Sequence, residues 1–261
     1  MCNALVTVCL LGVVFGRVEL SDTNKYAQTR IIGGTGVAIF QRPFIVSVHK
    51  RREGFVCGAV IVSSKWILTA LHCIPSPRFK TQYYIRAGTK YYDHGGTFHV
   101  FRHVKMFNTS VLHDFGATIP IHDISLIKVF PQFQFSVKIL PARLPEHNEE
   151  PPDELWVSGW GITSYGRLSR ALQTVDVQKI PTNICKNMSK IYAVLMNDER
   201  HICFGGDKKD SCNGDSGGPL GFERTVYGLV SFGEECGKYP GVYVKLSYYS
   251  EWINSIIGKD L

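Results

Sequence analysis

The decapeptide Asp210-Ser211-Cys212-Asn213-Gly214-Asp215-Ser216-Gly217-Gly218-Pro219 places a serine among glycines, with one carboxylate directly before it and another six residues before it. A serine hydroxyl is a weak nucleophile unless a base removes its proton and N–H groups stabilise the resulting oxyanion. Glycines let the backbone turn sharply and approach a substrate closely. A surface turn is the alternative interpretation of such a composition. Catalysis by Ser216 therefore requires a base and an orienting acid elsewhere in the chain.

Two further stretches supply that base and that acid. His72 follows the apolar run Trp66-Ile67-Leu68-Thr69-Ala70-Leu71, and Asp123 opens Asp123-Ile124-Ser125-Leu126. The order His, Asp, Ser is one of those known for the acyl-transfer triad. Together with Ser158-Gly159-Trp160-Gly161 and Ile31-Ile32-Gly33-Gly34, these stretches resemble the chymotrypsin family of trypsin-like serine proteases. The resemblance runs from Ile31 to the C-terminus.

Most of the chain has the pattern of an all-β protein. Short runs rich in Val, Ile, Phe and Tyr, separated by Gly, Pro and Asn, predict strands, for example at 44–49, 56–62, 124–129 and 225–232. Apolar residues at helical spacing after Ser247 predict an amphipathic helix over 248–257. The resemblance implies two packed six-stranded antiparallel β-barrels followed by this C-terminal helix. A cluster of prolines places the boundary between the barrels near residues 131–153.

The first thirty residues divide into two segments. Residues 1–16 contain an apolar run shorter than the ~20 residues that span a bilayer, so they predict a secretory signal peptide, with a buried strand as the alternative. Residues 17–30 resemble an activation peptide that precedes a protease domain over 31–261. The resemblance implies that cleavage after Arg30 frees the amine of Ile31 to pair with Asp215, because an unpaired buried carboxylate is costly.

The resemblance assigns the catalytic roles. Ser216 would attack the peptide carbonyl, His72 would transfer the proton, and a buried Asp123 would orient the imidazole. The backbone N–H groups of Gly214 and Ser216 would form the oxyanion hole.

Specificity is expected to follow from Asp210. The resemblance places it at the floor of the pocket for the residue before the cut bond, where a carboxylate selects Arg or Lys. An exposed charge within Lys208-Lys209-Asp210 is the alternative. The resemblance places the remaining substrate-binding residues around the same pocket: Ser211, Asn213, Ser231, Phe232, Gly233 and Gly241.

The cysteines indicate a disulfide-bonded, secreted protein. Of the eight, Cys2 and Cys9 fall in the N-terminal apolar segment, and the remaining six allow many pairings that sequence alone does not distinguish. The resemblance implies the bonds Cys57–Cys73, Cys185–Cys203 and Cys212–Cys236.

Composition restricts the partners. A hydrophobic content of 44% excludes a disordered chain, and a net charge of +7 is too mild to indicate a nucleic-acid function. We expect no cofactor and no metal, since His99 and His103 would be ~13 Å apart on a strand, too far to share a zinc ion. We expect a monomer without a membrane span that meets protein or peptide substrates and protein protease inhibitors.

A basic surface raises a further hypothesis. The run His49-Lys50-Arg51-Arg52 and a later set of cations predict a face for an anionic polysaccharide or an acidic protein: Arg78, Lys80, Arg86, Lys90, Arg102, His103 and Lys105. An ordinary solvated surface explains the same residues and is the preferred interpretation. The alternative function is a catalytically weak or silent homologue that binds a partner there. Leu71, in place of the usual alanine beside His72, leaves room for it, whereas the complete triad argues for activity.

Overall fold

The computed structural model describes residues 33–74, 77–114, 117–163, 166–206 and 209–260. The predicted signal peptide, the activation peptide, Arg30 and Ile31 lie outside these residues. Within them the chain forms fifteen strands and three α-helices. The strands are β1 (Thr35–Gly36), β2 (Ile45–Lys50), β3 (Gly54–Ile61), β4 (Trp66–Thr69), β5 (Tyr83–Ala87), β6 (Thr97–Met106), β7 (Val111–Asp114), β8 (Ala117–Pro120), β9 (Ser125–Phe130), β10 (Glu154–Gly159), β11 (Gln173–Ile180), β12 (His201–Gly205), β13 (Pro219–Phe222), β14 (Thr225–Phe232) and β15 (Gly241–Lys245). The helices are α1 (Thr182–Asn187), α2 (Lys190–Leu195) and α3 (Leu246–Ile257).

Six antiparallel strands close the first barrel in the order β2-β3-β4-β9-β6-β5. Strand β5 shows why its sequence suits a barrel wall: Tyr83, Ile85 and Ala87 are buried, whereas the alternating Tyr84 and Arg86 are partly exposed. This period of two directs one face of the strand into the core. Strand β4 is buried along its whole length.

The second barrel follows the order β11-β10-β13-β14-β15-β12 and closes where β11 pairs with β12. Its core contains Leu155, Val157, Phe204, Leu220 and Tyr243, all with at most 1% exposure. Strand β1 adds to β11 through the pair Thr35↔Thr174, so the start of the described chain belongs to the second barrel although the first barrel follows it in sequence.

The fold class predicted from sequence is confirmed, with small differences at the ends of elements. Strand β14 has the predicted bounds, and β2, β3 and β9 differ from prediction by one or two residues. Helix α3 begins at Leu246, two residues before the predicted start, because Leu246 is fully buried and joins the large core cluster. Tyr249 and Ile253 belong to the same cluster, to which both barrels contribute, and the helix lies against β14.

Three disulfides form with the predicted pairings. Cys57–Cys73 joins β3 to the turn that carries His72, and Cys185–Cys203 joins α1 to β12. Cys212–Cys236 ties the segment before Ser216 to the loop that follows β14. No helix in the described part of the chain is both long and apolar enough to cross a membrane.

Candidate active site

Strand pairing brings His72 and Asp123 together. His72 lies in a 3-10 turn (Leu71–Cys73) just after β4, and Asp123 lies just before β9, whose first residue Ser125 pairs with Thr69 of β4. The His72 backbone N–H donates to Asp123 Oδ1 at 2.8 Å, and the ring Nδ1 lies 2.8 Å from Oδ2. Two contacts to one carboxylate fix both the position and the orientation of the imidazole.

The second barrel completes the environment of Asp123. Ser231 Oγ, at the end of β14, donates a 2.6 Å hydrogen bond to Asp123 Oδ2. Burial would raise the pKa of Asp123, but the charge and hydrogen bond of His72 and the hydrogen bond of Ser231 outweigh it and lower that pKa. Burial would likewise lower the pKa of His72, but the Asp123 carboxylate raises it. The site therefore favours an ionised acid beside an imidazole that accepts a proton readily.

Ser216 lies at the junction of the two barrels. Its carbonyl accepts a 2.8 Å hydrogen bond from Gly58 of the first barrel, while the N–H of Gly217 donates to Val230 of the second at 2.8 Å. Ser216 and His72 line the same cavity. Among the described residues the Ser216 hydroxyl makes no hydrogen bond to the His72 ring. Hydrogen bonds of this kind often form or shorten only when substrate binds.

The turn before Ser216 leaves two backbone donors unused. The N–H groups of Asp215, Gly217 and Gly218 each reach a carbonyl oxygen within 2.9 Å. Those of Gly214 and Ser216 find no acceptor among the described residues. Gly214 has a φ of +97°, a backbone conformation that residues with a Cβ rarely adopt. Because unpaired N–H groups require a partner, this pair is suited to an oxygen that carries negative charge.

Asp215 is fully buried next to these donors. Its carboxylate accepts hydrogen bonds from the N–H groups of Gly161 at 2.8 Å and Cys212 at 3.0 Å. Burial nevertheless raises the pKa of Asp215 to about 6. No cation lies against this carboxylate in the part of the chain that the structure describes.

Asp210 lies at the floor of a cavity of about 280 Å³ and is 2% exposed. The N–H of Gly237 donates to its Oδ2 at 3.2 Å, yet burial raises the pKa of Asp210 to about 7. A Cβ on Gly241 would lie 3.0 Å from both Asp210 Oδ1 and Ser211 Oγ, so the glycine keeps the floor open. The exposed-loop alternative for Asp210 does not fit this burial.

All of the residues that the sequence assigned to substrate binding line this one cavity: Asp210, Ser211, Asn213, Ser231, Phe232, Gly233 and Gly241. The cavity also contains Val230 and Glu234, which the sequence reasoning did not single out, and Cys236, which it assigned to the disulfide with Cys212.

Comparison with known proteins agrees with this geometry. A family model described as Trypsin matches residues 31–253. The chain belongs to the trypsin family. It is 32% identical to "Trypsin" of Phaedon cochleariae, covering 97% of this chain and 98% of that protein. It is 32% identical to "Vitellin-degrading protease" of Bombyx mori, covering 98% and 96%, and 30% identical to "Hypodermin-B" of Hypoderma lineatum, covering 97% of each.

A solved structure shares the fold of this trypsin-family chain. It is described as the scabies mite inactivated protease paralogue S-D1, with a TM-score of 0.76 and 23% identity over 87% of this chain and 97% of that one. At that identity the likeness concerns the fold.

A second cavity of this trypsin-family chain, of about 400 Å³, lies beside His72, Asp123 and Ser231. Its walls are mostly apolar and come from the β7–β8 hairpin, helix α2 and the start of β12: Leu112, Ile119, Pro120, Ile121, Val194, Leu195, Arg200, His201 and Phe232. Sequence reasoning found only Phe232 of these, because the other walls meet through tertiary packing and share no local pattern.

Tyr192 is a supporting residue that sequence reasoning also missed. It is fully buried, donates from its hydroxyl to Pro240 O at 2.7 Å and accepts from the N–H of Glu234 at 3.0 Å. These bonds join helix α2 to the two segments that flank the Asp210 cavity. A tyrosine in a short helix between two paired cysteines is the sequence signal that marks it.

Leu71 does not displace its neighbour. Its side chain is buried at 6% exposure, and His72 keeps both contacts to Asp123. Cys57, His72 and Cys73 bring two sulfurs and a ring nitrogen together, but both sulfurs belong to the disulfide and offer no thiolate to a metal.

The predicted basic surface is only partly formed. His49 is buried, stacks on Tyr84, and contacts Ser47 Oγ through its Nε2 at 2.9 Å. Burial lowers the pKa of His49 to about 4, so it is a neutral packing residue, and its inclusion in the basic run was wrong. Lys50 pairs with Glu53 at 2.6 Å.

Others of the predicted cations lie in two separate places. The exposed Arg51 donates from its N–H to Gln82 O at 2.7 Å, which sets the β2–β3 loop against the 3-10 turn Pro77–Gln82. Arg102 and His103 instead line a groove of about 330 Å³ with Lys65 and Lys128. A β-bulge in β6 next to Arg102 puts consecutive cations on the outer surface.

Proposed function

We propose that this chain is a secreted serine endopeptidase, made as a zymogen, that hydrolyses peptide bonds after Arg or Lys. The observation that carries the proposal is the burial of Asp210 at the floor of a cavity that also contains Ser216 and His72. A carboxylate in an enclosed pocket favours a long side chain that brings positive charge and N–H donors. It discriminates against neutral side chains, because they would leave a buried charge unpaired.

The chemistry follows from the contacts of the triad. Ser216 Oγ attacks the peptide carbonyl while His72 accepts its proton, and Asp123 stabilises the imidazolium. The oxyanion takes up the unused N–H groups of Gly214 and Ser216. His72 then returns the proton to the leaving amine, and water repeats the sequence in reverse on the acyl-enzyme.

Activation would depend on Asp215. Cleavage after Arg30 creates an amine on Ile31 that can neutralise this buried carboxylate. The raised pKa of Asp215 supports the need for such a cation, since burial without a positive partner favours the neutral acid. Pairing with this amine would hold the turn with Gly214 in the geometry that leaves its N–H free for an oxyanion.

Secretion agrees with the three disulfides, which persist in oxidising compartments. We expect the protein to be a monomer. The expected partners are proteins or peptides with Arg or Lys before the cut bond, together with protein protease inhibitors. The trypsins among the relatives support this substrate class.

The test uses the full chain processed after Arg30 and peptide amides that differ only in the residue before the cut bond. We expect turnover with Arg and Lys and less than a hundredth of it with Phe. Ser216→Ala should abolish turnover, and Asp210→Ser should remove the preference for Arg. Equal turnover with Phe, or none in a folded protein, would contradict the proposal.

A second candidate function is binding of an anionic polysaccharide or an acidic protein through the β2–β3 loop and the adjacent turn. The Arg51–Gln82 hydrogen bond favours it, because it sets Arg51 and Arg52 beside the segment with Arg78 and Lys80. Charge reversal at Arg51 and Arg52 should weaken retention on immobilised heparin and slow cleavage of acidic proteins. Unchanged values for both would rule it out.

A further inference from the structure

The second cavity contains a cation whose N–H group lacks a partner. Arg200 lies at its wall, just before β12, and is partly exposed. Its Nε is buried without a hydrogen bond, and no carboxylate pairs with its guanidinium among the residues that the structure describes. A buried donor without a hydrogen-bond partner costs free energy. The cavity is therefore suited to a ligand that brings an acceptor with negative charge.

The side chains beside Arg200 in this cavity are a neutral histidine and apolar groups. The neighbouring His201 is 4% exposed, and burial lowers its pKa to about 4, so it is neutral. The remaining walls are largely apolar, with Val194, Leu195 and Phe232 among them. Beside apolar walls an ion pair is less screened than at a fully exposed surface.

The cavity lies where part of a substrate must lie. Both cavities share His72, Ser231 and Phe232, so they meet along one segment of the cleft. Side chains of an extended peptide alternate between two sides. If the residue before the cut bond enters the Asp210 cavity, the second and fourth residues before that bond point to the opposite side, towards the Arg200 cavity.

We propose that Arg200 determines specificity by pairing with an acidic side chain at the second or fourth position before the cut bond. The rest of that cavity accepts the aliphatic part of the same side chain or an apolar neighbour. This inference rests on the proposed function, since it describes the same substrate further along its length.

The experiment compares peptide amides with Arg before the cut bond and Glu, Gln or Lys at the second or fourth position. The processed full chain should cleave one of the two Glu peptides about tenfold faster in kcat/KM than its Gln counterpart, mainly through KM. Arg200→Gln should bring the Glu-to-Gln ratio of kcat/KM to within twofold of one, and Arg200→Glu should favour Lys. Arg143→Gln is the control, because it removes an exposed arginine outside both cavities.

Glu and Gln peptides cleaved within twofold of each other at both positions would overturn the inference while leaving the proposed function intact. A Glu preference retained in Arg200→Gln would overturn it as well. If no Arg peptide is cleaved, the proposed function fails on its own. The inference is then tested by calorimetry on the Ser216→Ala variant with peptides that end in Arg. The Glu peptide should bind about tenfold more tightly than the Gln peptide.

Discussion

The backbone N–H of Gly161 donates a 2.8 Å hydrogen bond to the Asp215 carboxylate, and the absent side chain of Gly161 leaves the space that this carboxylate fills. A Cβ on Gly161 or on Gly159 would overlap Asp215. The two glycines of the stretch 158–161 thus form a seat for the buried acid beside the nucleophile.

Gly161→Ala should lose most activity while keeping the fold. A methyl group there must push Asp215 out of its seat and move the turn that contains Gly214, so we expect kcat/KM to fall by at least ~100-fold, the range for a lost oxyanion donor. Kinetics on an Arg amide, with near-UV circular dichroism for the fold, provides the measurement.

Gly258→Ala is the matched control for Gly161→Ala, since no atom lies within 4 Å of a Cβ at that position. It should leave activity unchanged. Full activity in Gly161→Ala would contradict the role of the seat.

Replacing Asp123 tests the orientation of the imidazole. Asp123→Asn should lower kcat by about 10⁴-fold, because an amide nitrogen facing Nδ1 selects the wrong tautomer of His72. Ser231→Ala removes only one hydrogen bond to the same carboxylate and should cost about tenfold. A loss in Asp123→Asn no larger than that in Ser231→Ala would contradict the assigned role.

The pH dependence of ligand binding should report on Asp210. Its pKa is raised to about 7 in the free protein, so the carboxylate that attracts a cation is fully present only above that pH. Affinity for a small arylamidine should be constant above pH 7 and fall about tenfold per pH unit well below it, because the ligand must first displace a proton. Calorimetry on the processed Ser216→Ala variant measures this without turnover.

Two controls separate Asp210 from other groups in that titration. Repeating it in a His72→Ala, Ser216→Ala background removes the histidine that lines the same cavity. A neutral aryl amide should bind weakly at every pH. An arylamidine affinity that stays flat down to pH 5 would show that Asp210 does not hold the cation.

Structural features that depend on short, fixed spacings along the chain could be predicted from the sequence. The triad and the residues around Asp210 belong to stretches whose local composition is tied to one backbone geometry, as the Gly161–Asp215 contact illustrates. The disulfide pairs followed from the family resemblance, because six cysteines alone do not choose among their pairings. Tertiary packing was harder to foresee. Helix α3 packs against both barrels and β1 joins the second, and neither position follows from periodicity.

His49 and Arg200 show the same limit at the level of single side chains. Alternation along β2 places His49 on the outer surface of the barrel, yet Tyr84 and Phe55 cover that surface and bury it. Arg200 faces the second cavity because α2, the β7–β8 hairpin and β12 meet there. Covering of this kind depends on residues far away in sequence.

The Cys212–Cys236 disulfide should contribute to both stability and substrate affinity. It closes a segment of 24 residues between the turn before Ser216 and the loop beside the Asp210 cavity. Replacing both cysteines by alanine frees that segment in the unfolded chain, which should lower the free energy of unfolding by about 3 kcal/mol. Urea unfolding in a Ser216→Ala background measures this without self-digestion.

The double alanine variant of Cys185 and Cys203 is the matched control for that experiment. It opens a segment of 18 residues and should lose a similar free energy of unfolding. Only the loss of Cys212–Cys236 should raise KM for an Arg amide, by about tenfold, because only that bond joins two walls of the Asp210 cavity. An equal rise of KM in both variants would mean that general loosening, and not the cavity wall, sets substrate affinity.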